Sequence, residues 1–393
     1  MRTLCVAGVY PWPANDGYRM RLAAMIDALV ETGEVDVLCP VRMPDDVVEP
    51  PAGVRAGVLP VGSRTRAKRL WRWLRSDLPR AHVRAEVDAA NIEARRWLAD
   101  HYDLAYLSHL SSWVHHRELV SAPTIVDLDN LDNLVIRVSR TARPRTRDLR
   151  QLPKWAVMWP VEWIDERRTE KLQRRCAANV DRVTLCSALD VERSGFPNAV
   201  VIANGYERIV EPPAERTGHV LLFVGGLAYP PNADAVTWFA NEVFPLVRKQ
   251  LPSTVFRVVG HGVDHVAAIG ELPGVELVGR VDDLQPELDA ACATVVPIRF
   301  GSGTRLKVIE ALANRLPLVS TPLGAEGTEV VDGVHAMLES KPARLAEACV
   351  RVLEDPDLRD RLATEGERLW QERFRWSTIR AEMAALARQV AGA

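Results

Sequence analysis

Apolar and polar positions follow two rhythms along this chain. Short apolar runs, "LCVAGV", "VDVLCP", "YDLAYLS", "TIVDL" and "DRVTLCS", are separated by longer stretches with helical spacing, such as "GYRMRLAAMIDALVETG". The pattern then restarts with "VLLFVGG", the helical "NADAVTWFANEVFPLVRKQ", "VFRVVG", "VELVG", "ATVVPI" and "PLVST". Runs without a polar face predict strands buried on both sides, as in parallel sheets. Their alternation with helices predicts a doubly wound α/β architecture, met twice. The polar, proline-containing stretch "NGYERIVEPPAERTG" (204–218) breaks the pattern as a linker does. The expected layout is therefore two Rossmann-like domains, 1–205 and 206–376, facing a central cleft. The tail 377–393 is read as a helix that packs back toward the first domain.

Open parallel sheets bind ligands beyond the C-terminal ends of their strands. The loops that matter are then "YPWPANDG", "SHLSSW", "DLDN", "GGLAYPPN", "RFGSGT" and "STPLGAEG". In "GSGTRLKVIEAL" (301–312) small residues run from a strand into a helix predicted to begin near Thr304. Glycines let a backbone approach a ligand closely, and a helix start offers free N–H groups and positive dipole. Ser302, Gly303 and Thr304 with Arg305 and Lys307 thus read as an anion site. A carboxylate further along, Glu310, can accept hydrogen bonds from a ribose diol. A plain helix start with solvated cations is the other reading of the same residues.

This stretch, continued as "GSGTRLKVIEALANRLPLVSTPLGAEG", resembles the donor-binding segment of family 4 retaining glycosyltransferases of the GT-B fold. "FVGGLAYPPNADAVTWF", "GRVDDLQPELDAACATVVP", "VIANGYE" and "YPWPANDGYRMRLAAMIDAL" resemble further segments of that family, strongly in the C-terminal half and weakly in the N-terminal half. The bacterial sugar transferases with an "SGTRLK" signature are the most similar subgroup. The resemblance implies transfer of a sugar from a nucleotide-sugar co-substrate to an acceptor hydroxyl with retained configuration, and no separate cofactor. It places Gly17, Gly225, Gly226 and Glu326 with the residues of 302–307 around the donor diphosphate and sugar. Val281 and Glu310 fall to the nucleoside, and His109 to the transferred sugar as the catalytic candidate. Local readings stand beside these: Gly17 as a helix-start glycine, His109 as a locally hydrogen-bonded histidine. Two family features are missing. Many members carry a glutamate where this chain has Ser302, and a cation pair where "GGLAYPPNADA" has none. A nucleotide-sugar epimerase or hydrolase on the same fold, and an inactive nucleotide-binding scaffold subunit, are the alternatives.

Composition adds limits. The chain has 393 residues, 47% hydrophobic and 26% charged, as expected of a globular protein with more than one domain. No apolar run approaches a membrane span, and the N-terminus reads as a strand, not a signal peptide. Six scattered cysteines lack metal spacing and suggest buried thiols in a cytoplasmic protein. The net charge is −2, and neither half carries the basic excess of a nucleic-acid binder. No metal cluster is evident. "DLD" (127–129) formally matches the Asp-x-Asp metal motif of the other glycosyltransferase fold, but such a tripeptide arises often by chance, so Asp127 and Asp129 are assigned to orienting the acceptor or capping the next turn. The acceptor is a sugar, a lipid-linked or a small-molecule hydroxyl. Ser187 and Asp190 read as a capping box.

The basic stretch "RTRAKRLWRWLRSDLPRAHVR" (64–84) places Ala67, Leu70, Trp71, Leu74 and Leu78 at helical spacing. It reads either as an ordinary surface helix or as a peripheral contact with the inner face of a membrane. "RVSRTARPRTRDLR" (137–150) is a second basic stretch, taken as a loop on the acceptor side. Trp155, Trp159 and Trp163 recur every fourth residue but are interrupted by Pro160, and are assigned to the core.

Overall fold

The computed structural model describes residues 1–14, 16–40, 48–141, 152–213, 216, 218–301 and 305–392. Ser302, Gly303 and Thr304 lie outside the described residues, as do 142–150 of the second basic stretch and the side chain of Trp155. The chain divides into two compact units, Met1–Asn204 with Ser377–Ala393, and Gly205–Trp376.

The first unit begins with strands β1 (Arg2–Val6), β2 (Glu34–Cys39) and β3 (Val54–Val58). A short antiparallel pair follows, β4 (Gly62–Ser63) and β5 (Ala85–Glu86). Strands β6 (Leu104–Ser108), β7 (Thr124–Asp129), β8 (Arg182–Leu185) and β9 (Ala199–Val201) complete the unit. One parallel sheet results, in the order β3-β2-β1-β6-β7-β8-β9. Leu4, Val6, Leu38, Leu107, Val126 and Val183 pack its core. They come from the apolar runs that carry no polar face, because helices cover both sides of the sheet.

The second unit contains β10 (Val220–Val224), β11 (Val255–Val259), β12 (Val275–Gly279), β13 (Ala293–Val296), β14 (Leu318–Ser320) and β15 (Ala336–Leu338). Its order is β12-β11-β10-β13-β14-β15, again with every pairing parallel. In each sheet the chain winds outward from one central strand, then returns to that strand's other side. The switch points lie between β1 and β6, and between β10 and β13. Such switch points are where open α/β sheets take their ligands.

Three expectations need correction. The helix at 152–177 runs straight through Pro160, and Trp159 and Trp163 on it are 38% and 41% exposed rather than core. Arg140 and Arg167 cover their rings at 4.8 and 4.9 Å. The helix of the first basic stretch ends at Arg75, so Leu78 does not extend its stripe but packs against the first unit's core. The helix expected near Thr304 is Leu306–Ala313, with Arg305 as the residue that precedes it.

All six cysteines are free and buried. Ser187 caps the helix Ala188–Ser194, accepting from the Asp190 N–H at 3.1 Å and donating to its carboxylate at 2.8 Å. No helix among the described residues is long and apolar enough to cross a membrane.

Candidate active site

In the second unit, β10 ends in the glycine pair Gly225–Gly226. Gly225 has φ +156°, a conformation L side chains rarely adopt. A Cβ on it would stand 2.8 Å from Lys307 Nζ and 2.9 Å from the Asn232 amide. A Cβ on Gly226 would stand 2.5 Å from the His261 ring. Only glycines therefore let Lys307 and His261 close on this turn from two neighbouring strand exits.

The helix Leu306–Ala313 brings Lys307 there. Its ammonium donates to Asn232 Oδ1 at 2.8 Å and lies 4.1 Å from the centre of the Phe223 ring. Asn232 in turn donates to the Gly226 carbonyl at 2.9 Å, so one amide ties the amine to the loop. Burial, aided by the charge of Arg305 and opposed by that of Glu310, lowers the Lys307 pKa to about 7. Glu310 is three residues along the same helix. Burial raises its pKa to about 7 against the opposing Lys307 charge and a hydrogen bond from Tyr206. The Tyr206 hydroxyl, which also meets Asn314, is pushed by burial to about 12. The fold thus places an amine and a carboxyl that both change charge near neutrality one helical turn apart.

Arg305 is buried, and its guanidinium lies beside Gly301, whose added Cβ would meet it at 3.2 Å. Before it, Arg299 clamps Asp234 with two bonds of 2.9 and 2.5 Å over the Trp238 ring. That clamp fixes the β13 exit against the helix Pro230–Trp238. The β14 exit is fixed too: buried Thr321 donates to the Ile298 carbonyl and accepts from the Gly324 N–H at 2.9 Å. Glu326 follows that turn and is half-buried, its N–H donating to the Leu323 carbonyl. Val281, beyond β12, packs with Leu284 on the apolar cluster around Leu222, Val259 and Leu288.

In the first unit, Gly17 opens the helix Gly17–Val30 behind Asp16, whose side chain accepts from the Arg19 N–H. His109 opens the helix that follows β6 and has φ +66°. That backbone is uncommon for a non-glycine residue and marks a strained strand exit. Its ring lies 4.3 Å from that of Tyr18, whose hydroxyl is 2.8 Å from Ser108 Oγ. Asp132 lies close by. Burial raises its pKa, with His109 opposing and Asp129 adding to the rise.

Asp127 and Asp129 differ in what they touch. Asp127 is buried and accepts from Arg21 Nε and Nη2, Tyr106 Oη and Thr184 Oγ1 at 2.7–2.9 Å. Burial alone would raise its pKa, but the Arg21 charge and these bonds outweigh it, giving about 2. Its oxygens hold the sheet to the helix Gly17–Val30, which leaves none for an acceptor. The acceptor reading of Asp127 is corrected on that ground. Asp129, half-buried with φ +62°, accepts from Cys186 Sγ and Asn204 Nδ2 at the end of β7. Among the described residues no three His, Cys, Asp or Glu side chains converge as a metal site requires.

Sequence reasoning missed Tyr206, Asn232, His261, Tyr18 and Asp132. Tyr206 lay in the stretch read as linker. His261 was legible as the residue between Gly260 and Gly262 at a strand exit.

Residues 218–355 match the family model described as glycosyl transferases group 1. An uncharacterized 44.6 kDa protein in the cps region of Klebsiella pneumoniae is 31% identical over 127 residues, 30% of this chain and 33% of that protein. Glycogen synthase of Mycobacterium tuberculosis is 30% identical over 200 residues, 47% of each chain. The chain thus spans between a third and a half of these curated relatives. Among solved structures, sucrose-phosphate synthase from Thermosynechococcus elongatus aligns over 100% of this chain and 99% of its own, with TM-score 0.72 and 20% identity. Anabaena HepE in complex with UDP and glucose aligns over 98% and 99%, with TM-score 0.63 and 14% identity. Both likenesses are of fold. The second unit is a group 1 glycosyltransferase domain, in a chain with the GT-B fold of two Rossmann-like sheets.

Proposed function

We propose that the protein transfers a sugar from a nucleotide-diphosphate sugar to an acceptor hydroxyl, with retention of configuration and without a metal. The observation that carries this reading is the β10–β13 switch point, where Lys307 reaches the Gly225–Gly226 turn with Arg305 and the Glu310–Tyr206 pair beside it. Loss of the nucleoside diphosphate builds negative charge on its phosphates. Lys307 and Arg305, preorganised and partly withdrawn from water, oppose that charge where it forms. Gly225 and Gly226 admit Lys307 and His261 to the turn at which the phosphates would bind, and the sequence assigns Ser302, Gly303 and Thr304 to the same site. Glu310, held by Tyr206, accepts from the ribose hydroxyls, with Val281 beside the base and Glu326 toward the sugar. The second unit is the donor half and the first the acceptor half, where His109 and Gly17 meet the transferred sugar and Asp129 orients the acceptor.

A structure of HepE with UDP and glucose supports asking about such a donor first. The test follows nucleoside diphosphate release from a panel of nucleotide sugars, with and without candidate acceptor sugars, in EDTA. Release that requires both donor and acceptor supports transfer. Release without acceptor would favour hydrolysis, and activity recovered only with Mn²⁺ would remove the metal-free part.

A further inference from the structure

The helix Arg66–Arg75, "RAKRLWRWLR", holds five cations and no acid. One side anchors it to the first unit. Trp73, 9% exposed, donates from its indole to Asp165 at 2.8 Å, and its carbonyl accepts from Arg168 at 2.7 Å. Arg69 is tied back to the Arg64 carbonyl and Ser63. At 100° per residue, Ala67, Leu70, Trp71 and Leu74 form a stripe on the opposite side. There Leu70 is 57%, Trp71 60% and Leu74 64% exposed. A globular helix ordinarily turns such a stripe inward, but this one faces water. Lys68 and Arg75 flank it on one edge and Arg66 on the other. All three are exposed, and Arg75 stacks over Trp71 at 5.0 Å.

We infer that this ridge is a docking surface for an anionic lipid bilayer, with Leu70, Trp71 and Leu74 entering the headgroup–acyl boundary while Arg66, Lys68 and Arg75 meet lipid phosphates. An apolar ridge rimmed by cations matches a surface that is apolar inside and negative at its edge. A second copy of the chain fits poorly, because two such helices would set like charges against each other. The helix lies on the membrane and does not cross it. The inference does not depend on the transfer chemistry.

The test is co-sedimentation of the full chain with vesicles of phosphatidylcholine alone or with added phosphatidylglycerol. Binding should be at least about tenfold tighter to the anionic vesicles and should weaken with salt. The triple variant Leu70→Ala, Trp71→Ala, Leu74→Ala should lose about tenfold or more of that binding. Its nucleoside diphosphate affinity and near-ultraviolet circular dichroism should match the wild type, since the replaced side chains are exposed. Arg66→Gln with Lys68→Gln should remove the preference for anionic lipid. Equal binding to both vesicles, no binding to either, or an unaffected triple variant would overturn the inference. So would lipid-free self-association that the triple variant abolishes, since a second copy would then own the ridge.

Discussion

Among single residues, Lys307 is the one on which diphosphate binding should depend most. Its amine has a pKa of about 7 through burial, and an incoming diphosphate favours its ammonium form. Above pH 7 the free protein therefore holds a largely neutral amine that must take up a proton when the ligand binds. Affinity should fall as pH rises from about 7 to 9, and calorimetry in buffers of different ionisation enthalpy should detect the uptake. Lys307→Ala should abolish both effects; a pH-independent affinity in the wild type would contradict the assignment. Glu310→Gln should weaken a ribonucleotide more than its deoxy analogues if, as proposed, its carboxylate serves the ribose hydroxyls. Equal weakening would move Glu310 away from the sugar. Arg21 belongs to stability. Arg21→Ala strands Asp127 in the first unit's interior and should cost about 3–5 kcal/mol in urea unfolding.

The elements were legible to different degrees. Central strands such as β1, β6, β10 and β13 announced themselves because burial on both faces demands predominantly apolar runs. The edge strands β3 ("VRAGV"), β9 ("AVV") and β15 ("AML") did not, since they are short or half-exposed and neighbour pairing rather than side chains holds them. The helix through Pro160 shows the same limit: tertiary packing of a 26-residue helix overrides a local breaker. A histidine cluster was also invisible, because His82 and His115 meet only in the fold, with ring centres 6.0 Å apart and His116 beyond. Burial lowers His82 and His116 to about 4 and 3, with the His115 charge adding to each fall and Asp165 opposing it at His82. Burial and the charges of Arg72, Arg64 and Arg117 lower His115 to about 4. The unfolded chain binds these protons near pH 6.5 and the folded one does not, so stability is lost as pH falls from about 6.5 toward 4. At pH 5.5 the loss should be about 1–1.5 kcal/mol per histidine, and His116→Gln should flatten the curve. Constant stability across that window would show the rings to be more hydrated than their packing suggests.

For the whole molecule, two doubly wound sheets put their strand exits to use in different ways. The proposed donor residues were readable where they fall in one short stretch after β13, Gly301 to Glu310, whereas Tyr206, Asn232 and His261 come from other elements and were not. The acceptor side was less so: its candidates are spread over three loops, and Asp127 proved to be a sheet fastener. If the halves divide the labour as proposed, His109→Ala should lower turnover with acceptor and leave nucleoside diphosphate affinity nearly intact. Lost nucleotide binding with normal turnover at saturation would place His109 elsewhere. The donor half as proposed holds a nucleoside diphosphate at the β10–β13 strand exits through Lys307. Isothermal calorimetry of a panel of nucleoside diphosphates against wild type and Lys307→Ala is the deciding measurement. One diphosphate should bind the wild type measurably, and the variant should lose about 1.5–3 kcal/mol of that affinity. No binding by any of the panel, or equal binding by both proteins, would contradict it.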